Sequence, residues 1–152
     1  MKLRMLNGSH STLSYLGYLA GYETVSQTVA DSTFRTLIAQ LMTEEVVPTL
    51  DLPGVDLHAY RDELIARFEN PALKHRTWQI AMDGSQKLPQ RLLATIRDRI
   101  AAGLSFERLA LGVAAWMRYA SGTDEKGEPI DVRDPLAGKF ELVAAAADID
   151  PA

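Results

Sequence analysis

Three polar side chains, Lys2, Asn7 and His10, stand at the start of an otherwise apolar stretch, KLRMLNGSHSTLSYLGYLAGY. At about 100° per residue in an α-helix, Asn7 lies about 140° around the axis from Lys2 and His10 about 80°, so all three fit within one half of the surface. An amine, an amide and an imidazole could then converge on one oxygen. A lysine amine takes or gives the proton of a secondary alcohol once burial or neighbours lower its pKa toward neutrality. Asn and His can donate hydrogen bonds to the same oxygen as negative charge grows on it. The set suits alcohol–ketone interconversion without a metal. Spacing alone also allows a solvated Lys2, a capping Asn7 and a structural His10.

A second cluster lies in KHRTWQIAMDGSQKLPQR, where Lys74, His75, Arg76, Lys87 and Arg91 gather positive charge around Trp78 and an Asp83-Gly84 turn. Bidentate arginine and a lysine suit a carboxylate or a polyhydroxyl ligand. The plainer alternative is a charged helix surface with Trp78 and Ile80 as core. Trp116 and Tyr119, three residues apart, read as core rather than as a sugar-stacking platform.

Several chemistries are excluded by what the sequence lacks. It has no GxGxxG and no GxxxxGK[ST], so it carries no dinucleotide-binding motif of its own. His10, His58 and His75 lie far apart without HExxH or acid-rich spacing, and there is no cysteine, so no metal site is expected. No GxSxG elbow is present. With 16 Lys and Arg against 20 Asp and Glu, the net charge of −4 offers no basic excess for nucleic acid.

These residues must be positioned by helices. Apolar residues recur at helical spacing almost throughout the 152 residues, and no sustained Val/Ile/Thr alternation suggests a sheet, so the fold class is all-α, a single multi-helix domain over 1–152. A chain of this length buries about 70% of its unfolded surface. The pattern predicts a first helix from Lys2 to Gly21, packing through Leu6, Leu13, Leu16 and Leu19, and a short one over Val25 to Ala30. Asp31 or Ser32 caps a helix that ends at Pro48, and Asp56 caps another stopped by Asn70-Pro71. Two helices over Ala72 to Ala102 divide near Asp83-Gly84 or at Pro89, with Lys87 at the break. Ser105 caps a helix ending by Gly122, and a last one starts at Asp134-Pro135 and frays in AAAADIDPA. Arg4, Asn7, Ser9 and His10 interrupt the opening apolar run, so no targeting or membrane segment is read, and the chain is expected to be cytoplasmic.

The opening segment closely resembles the start of the C-terminal domain in the long-chain mannitol dehydrogenase family. HRTWQIAMDGSQKLPQR and DEKGEP…DPL match further along, so the resemblance covers about Met1 to Leu136. Lys-x4-Asn-x2-His is that family's catalytic signature. The resemblance implies NAD-dependent, metal-independent enzymes built from an N-terminal Rossmann domain and a mostly helical C-terminal domain. It implies Lys2 as general acid/base, Asn7 and His10 as the groups that polarise the carbonyl, and Lys87 as a substrate-binding lysine. Gln79 departs from the arginine that the mannitol dehydrogenase pattern places there to contact the polyol. The surrounding phrase is instead similar to the fructuronate reductase (mannonate oxidoreductase) branch, whose substrate carries a carboxylate that Arg76 or Lys87 could pair. Mannitol 2-dehydrogenase remains the alternative. The resemblance also implies that the cofactor domain lies outside this chain, which alone would be inactive and would have that Rossmann domain and a sugar acid or polyol as partners. A different class of reading is a non-catalytic helical interaction module. The two readings separate on whether Lys2, Asn7 and His10 share one cleft.

Overall fold

The computed structural model describes residues 1–147 and is helical throughout, with isolated bridges at Thr24–Arg76 and Thr123–Pro129 in place of a sheet. The all-α expectation holds. No helix among the described residues is long and apolar enough to cross a membrane.

The chain opens with a π-helical turn, Leu3–Asn7, that runs into α1, Gly8–Leu19. Helix α1 ends two residues before the predicted stop, but Gly21 is the reason. At φ +86° it adopts the left-handed conformation that closes the helix, with Gly21 N–H donating to the Tyr18 carbonyl at 3.0 Å and Tyr22 N–H to the Gly17 carbonyl at 2.8 Å. Next come α2, Val25–Ala30, capped by Thr24 in a reciprocal pair with Gln27, and α3, Ser32–Gln40, capped by Asp31. A π turn, Leu41–Val46, and a 3₁₀ turn, Val47–Thr49, extend α3 to Pro48 as predicted. Asp56 caps α4, Leu57–Glu69, through the His58 and Ala59 amides, and a 3₁₀ turn, Pro71–Leu73, follows.

The predicted break in the next helical run falls at Asp83-Gly84, the first of the two expected places. Helix α5, Thr77–Ala81, stops at Met82, and Asp83 takes a left-handed φ of 57° before α6, Gly84–Leu88. Pro89 does not break the helix. A π turn, Pro89–Leu93, carries it on into α7, Ala94–Ala101, and Lys87 therefore sits within α6 rather than at the break.

Helix α1 is the centre of the molecule, with α2, α5 and α8 (Glu107–Ala120) packed around it. Its buried surface is small and polar: Gly8, Ser9, Ser11, Thr12, Ser14 and Gly17. Two hydroxyls buried there return hydrogen bonds to their own helix, Thr12 Oγ1 donating to the Gly8 carbonyl at 3.0 Å and Ser14 Oγ to that of Ser11 at 2.8 Å, while Ser9 Oγ has no partner among the described residues. Short side chains let neighbouring helices approach closely. The larger apolar residues Leu13, Tyr15, Leu88, Leu92, Leu109 and Tyr119 fill the space around them.

Two further elements differ from their predicted starts. Ser105 does not cap α8, whose N-cap is Phe106 without a side-chain bond. The buried Glu45 carboxylate caps it from another element, accepting from the Arg108 amide at 2.9 Å and the Leu109 amide at 2.8 Å. Helix α9 covers Ala137–Ala146, beginning two residues after Pro135 because the Asp134 carboxylate first accepts from the Leu136 amide. Of the expected fraying in AAAADIDPA, Asp148 to Ala152 lie outside the described residues, and Ala144 to Ala146 are helical. Replacing Glu45 by Ala strands two amides in a buried site. Urea unfolding of Glu45→Ala is expected to show a loss of about 1.5–3 kcal/mol, while Ser105→Ala should stay within about 0.5 kcal/mol of wild type.

Candidate active site

The π turn at the start of the chain changes the relation among the three polar residues. Lys2 is its N-terminal cap and Asn7 its last residue. Five residues make about 1.4 turns of an α-helix, whereas a π turn bonds residue i to i+5 and brings them close to one full turn apart. The 100°-per-residue estimate therefore does not hold across Lys2 to Asn7, whose backbones a π turn sets about one turn apart. Asn7 and His10 are then three apart at the start of α1, a spacing that faces one side of a helix. Lys2 is exposed; Asn7 and His10 are half-buried.

His10 is held by two other elements. Its ring stacks on Phe68 of α4 with centroids 5.4 Å apart and planes 15° from parallel, and His75 tilts against it at 5.1 Å. His75 reaches this position because residues 75–77 are tied to residues 22–25. Val25 N–H donates to the His75 carbonyl at 2.9 Å, Thr77 N–H to that of Glu23 at 3.0 Å, and Thr77 Oγ1 to that of Tyr22 at 2.9 Å. The preceding Lys74 takes a left-handed φ of 45° to make the turn. Burial, followed by the charges of His75, Arg91, Arg67 and Lys87, lowers the His10 pKa from 6.5 to about 4. His10 is thus neutral at pH 7, and its Nε2 is buried without a hydrogen-bond partner among the described residues.

The second cluster divides. Lys87 and Arg91 are half-buried and among the charges that act most strongly on His10. Arg91 Nη1 donates to Ser11 Oγ at 3.1 Å, and Lys87 Nζ to the Ile80 carbonyl at 3.3 Å. Arg76 and Gln79 are exposed, and Arg76 lines a different hollow of about 500 Å³ with Tyr18, Tyr22, Glu23, Trp78 and Asp124. That lining includes neither His10 nor Lys87.

Helix α6, which carries Lys87, is pinned at both faces. Asp134 accepts from the Ser85 amide at 2.8 Å and from Ser85 Oγ at 2.6 Å, giving the DPL segment a structural task. Gly84 lies so close to Tyr15 and Trp116 that a Cβ there would collide with the Tyr15 hydroxyl and the Trp116 indole nitrogen. Tyr15 in turn donates to the Ala81 carbonyl at 3.0 Å. Phe68 and Arg67 were not singled out as site residues in the sequence, and Asp134 only as a helix start within DPL, because each acts from a distant element. Among the described residues no three of His, Asp and Glu gather into a metal-holding group.

The model for the mannitol dehydrogenase C-terminal domain matches residues 1–152. The chain belongs to that family. Its members include proteins of differing substrate. The chain is similar to the D-mannonate oxidoreductase of Escherichia coli (strain K12), 59% identical over 146 residues that cover 95% of this chain and 30% of the relative. It is 42% identical over 145 residues to a mannitol 2-dehydrogenase of Phaeosphaeria nodorum, covering 95% and 26% of the two chains. Among solved structures, Pseudomonas fluorescens mannitol 2-dehydrogenase in a ternary complex with NAD and D-mannitol matches with a TM-score of 0.90 at 40% identity, over 95% of this chain and 30% of that one. The chain thus spans about 30% of the length of the mannonate relative. The resemblance carried by Lys-x4-Asn-x2-His is that of the mannitol dehydrogenase C-terminal domain, and the helical class follows it.

The depressed pKa of His10 makes a pH prediction for this domain. The neutral form is favoured in the fold, so the associated stability is complete above about pH 6.5 and is lost as pH falls from there through about 4. The span is worth about 3 kcal/mol. Proton NMR of the imidazole C–H signals should place one histidine midpoint near 4, and His10→Gln should remove that midpoint and flatten the acid limb of the stability profile. A His10 midpoint near 6.5 would contradict it.

Proposed function

We propose that this chain is the substrate-binding and proton-transfer domain of a nicotinamide-dependent sugar oxidoreductase, interconverting a ketone and a secondary alcohol, with D-mannonate and fructuronate as the favoured pair. What supports this reading is a neutral imidazole at His10 whose Nε2 has no partner among the described residues, preceded by a π turn that sets Lys2 and Asn7 about one turn apart. One unpartnered nitrogen fits one substrate oxygen. The chain has no glycine-rich cradle for a pyrophosphate, so its residues fit the substrate side of the reaction, and NAD would be held mainly by a Rossmann domain outside the described residues. Exposed Met117, Leu142 and Val143 on α8 and α9 supply apolar surface against which another domain could pack.

In the direction of oxidation, the Lys2 amine takes the hydroxyl proton of the substrate. The Asn7 amide and His10 Nε2–H donate to the same oxygen, stabilising the negative charge that develops on it. NAD, when bound, accepts the hydride from the carbinol carbon. In reduction the same lysine returns the proton. Lys2 is exposed in this chain, so a covering domain would provide the desolvation that a general base needs. His10 is kept neutral by its surroundings, which lets it donate without adding a fixed charge.

Support for the acid substrate over mannitol comes from the higher identity to the mannonate relative, from Gln79, and from the cations beside His10. The test is nicotinamide absorbance with the full-length protein on fructuronate, mannonate and mannitol. Mannonate turnover is expected, with Lys2→Ala lowering kcat about 10²–10⁴-fold and Asn7→Ala about 10²–10³-fold. Inactivity on all three substrates, or a Lys2→Ala variant that keeps its rate, would return the domain to the helical interaction reading.

A further inference from the structure

The charge near His10 is one-sided. The charged groups that act most strongly on it are His75, Arg91, Arg67 and Lys87. Most arginines of this chain with a settled partner have an acid: Arg4, Arg35, Arg61, Arg108, Arg118 and Arg133 are all in ion pairs. Lys87 and Arg91 are in none among the described residues, although both are half-buried and so have given up part of their hydration. Asp83 offsets part of the Lys87 charge but does not come within ion-pair distance.

The two cations are also fixed in place. Lys87 lies in α6 and Arg91 four residues on, in the π turn that continues it, close enough for the Arg91 charge to act on Lys87. Arg91 spends one nitrogen on Ser11, the residue after His10, and keeps its remaining N–H groups for another partner. Its backbone presses on α1 so closely that a Cβ on Gly8 would stand 2.8 Å from the Arg91 carbonyl oxygen. The Arg91 backbone is therefore held against Gly8, and its side chain against the residue after His10. Arg76, exposed in another hollow, lacks this connection.

We infer that Lys87 and Arg91 form a carboxylate clamp beside His10, which selects a sugar acid over the corresponding neutral polyol. The inference rests on the oxidoreductase reading above and names what determines its specificity. The guanidinium supplies planar, paired donors and the ammonium a compact charge, and both recover in the complex the partner that they lack in the free domain. The carboxylate end of the substrate is held by α6 while its reacting oxygen meets Lys2, Asn7 and His10.

The experiment measures turnover and equilibrium binding of D-mannonate and mannitol by the full-length protein, wild type against Arg91→Met, Arg91→Lys and Lys87→Met, with NAD affinity measured in parallel by calorimetry. Arg91→Met is expected to lower the acid-over-polyol preference about 10–100-fold, mainly through KM, and Arg91→Lys to restore part of it. If Arg91→Met does not fold, Lys87→Met carries the same comparison of acid against polyol binding. If no substrate turns over but mannonate binds more tightly than mannitol and Arg91→Met erases the difference, the clamp stands and the proposed reaction falls. If turnover is seen but wild type binds mannonate no more tightly than mannitol, the clamp falls and the reaction stands. If Arg91→Met weakens NAD and not mannonate, the cations serve the dinucleotide phosphates and the clamp is overturned.

Discussion

Close approach at a buried helix made of small residues is the constraint on which the rest of this structure depends. Helix α1 can sit at the centre because Gly8, Ser11, Thr12, Ser14 and Gly17 let α2, α8 and the π turn after α6 reach its backbone. Two of the buried hydroxyls, Thr12 and Ser14, are satisfied within the helix itself, by bonds to carbonyls three or four residues back, and Ser11 accepts from Arg91. With its position settled, the two ends of α1 become reference points. The N-terminal end carries Asn7 and His10, and the elements that face it bring Phe68, His75 and Arg91 into fixed relation with the imidazole.

That fixity explains the electrostatics. Burial first, and then the neighbouring positive charges, disfavour the protonated form of an imidazole stacked on a phenyl ring, so it stays neutral across the physiological range. A protonated histidine in this position would repel Lys87 and Arg91 and would weaken their capacity to gather an anion. Burial of His10 and the unpaired state of the two cations are parts of one arrangement, in which positive charge is kept on α6 and the π turn that continues it and away from the hydrogen-bonding nitrogen.

Signals that act over a few residues were legible in the sequence. Asp31 and Asp56 cap the helices they precede, Gly21 closes α1, and Pro48 and Pro71 mark ends, because each works on backbone groups beside it. The Lys-Asn-His spacing stands in the sequence, but the π turn that changes the angle between Lys2 and Asn7 does not. Capping of α8 by Glu45 was not, since the carboxylate comes from a remote segment and Ser105 offers a locally better cap. Pro89 was misleading on local grounds: its missing donor is absorbed by a π turn that packing against the chain's opening residues stabilises. Phe68 and Arg67 carry no mark in the sequence because an ordinary apolar residue and an ordinary surface cation acquire their meaning only from what faces them.

The widened turn at Leu3–Asn7 has a consequence for how this segment can vary. A π turn holds one residue more than the α turn it replaces. Were the turn to relax into a regular α-helix with every residue kept, Lys2 would stand about 140° around the axis from Asn7, whereas losing one residue together with the bulge would leave the two four apart, again close to one turn. Exposed Leu3 can be exchanged for many side chains without that rotation. Here the winding of the backbone, more than the identity of the side chains along it, carries the geometry: five residues in a π turn or four in an α turn keep Lys2 over Asn7, and five in an α-helix do not.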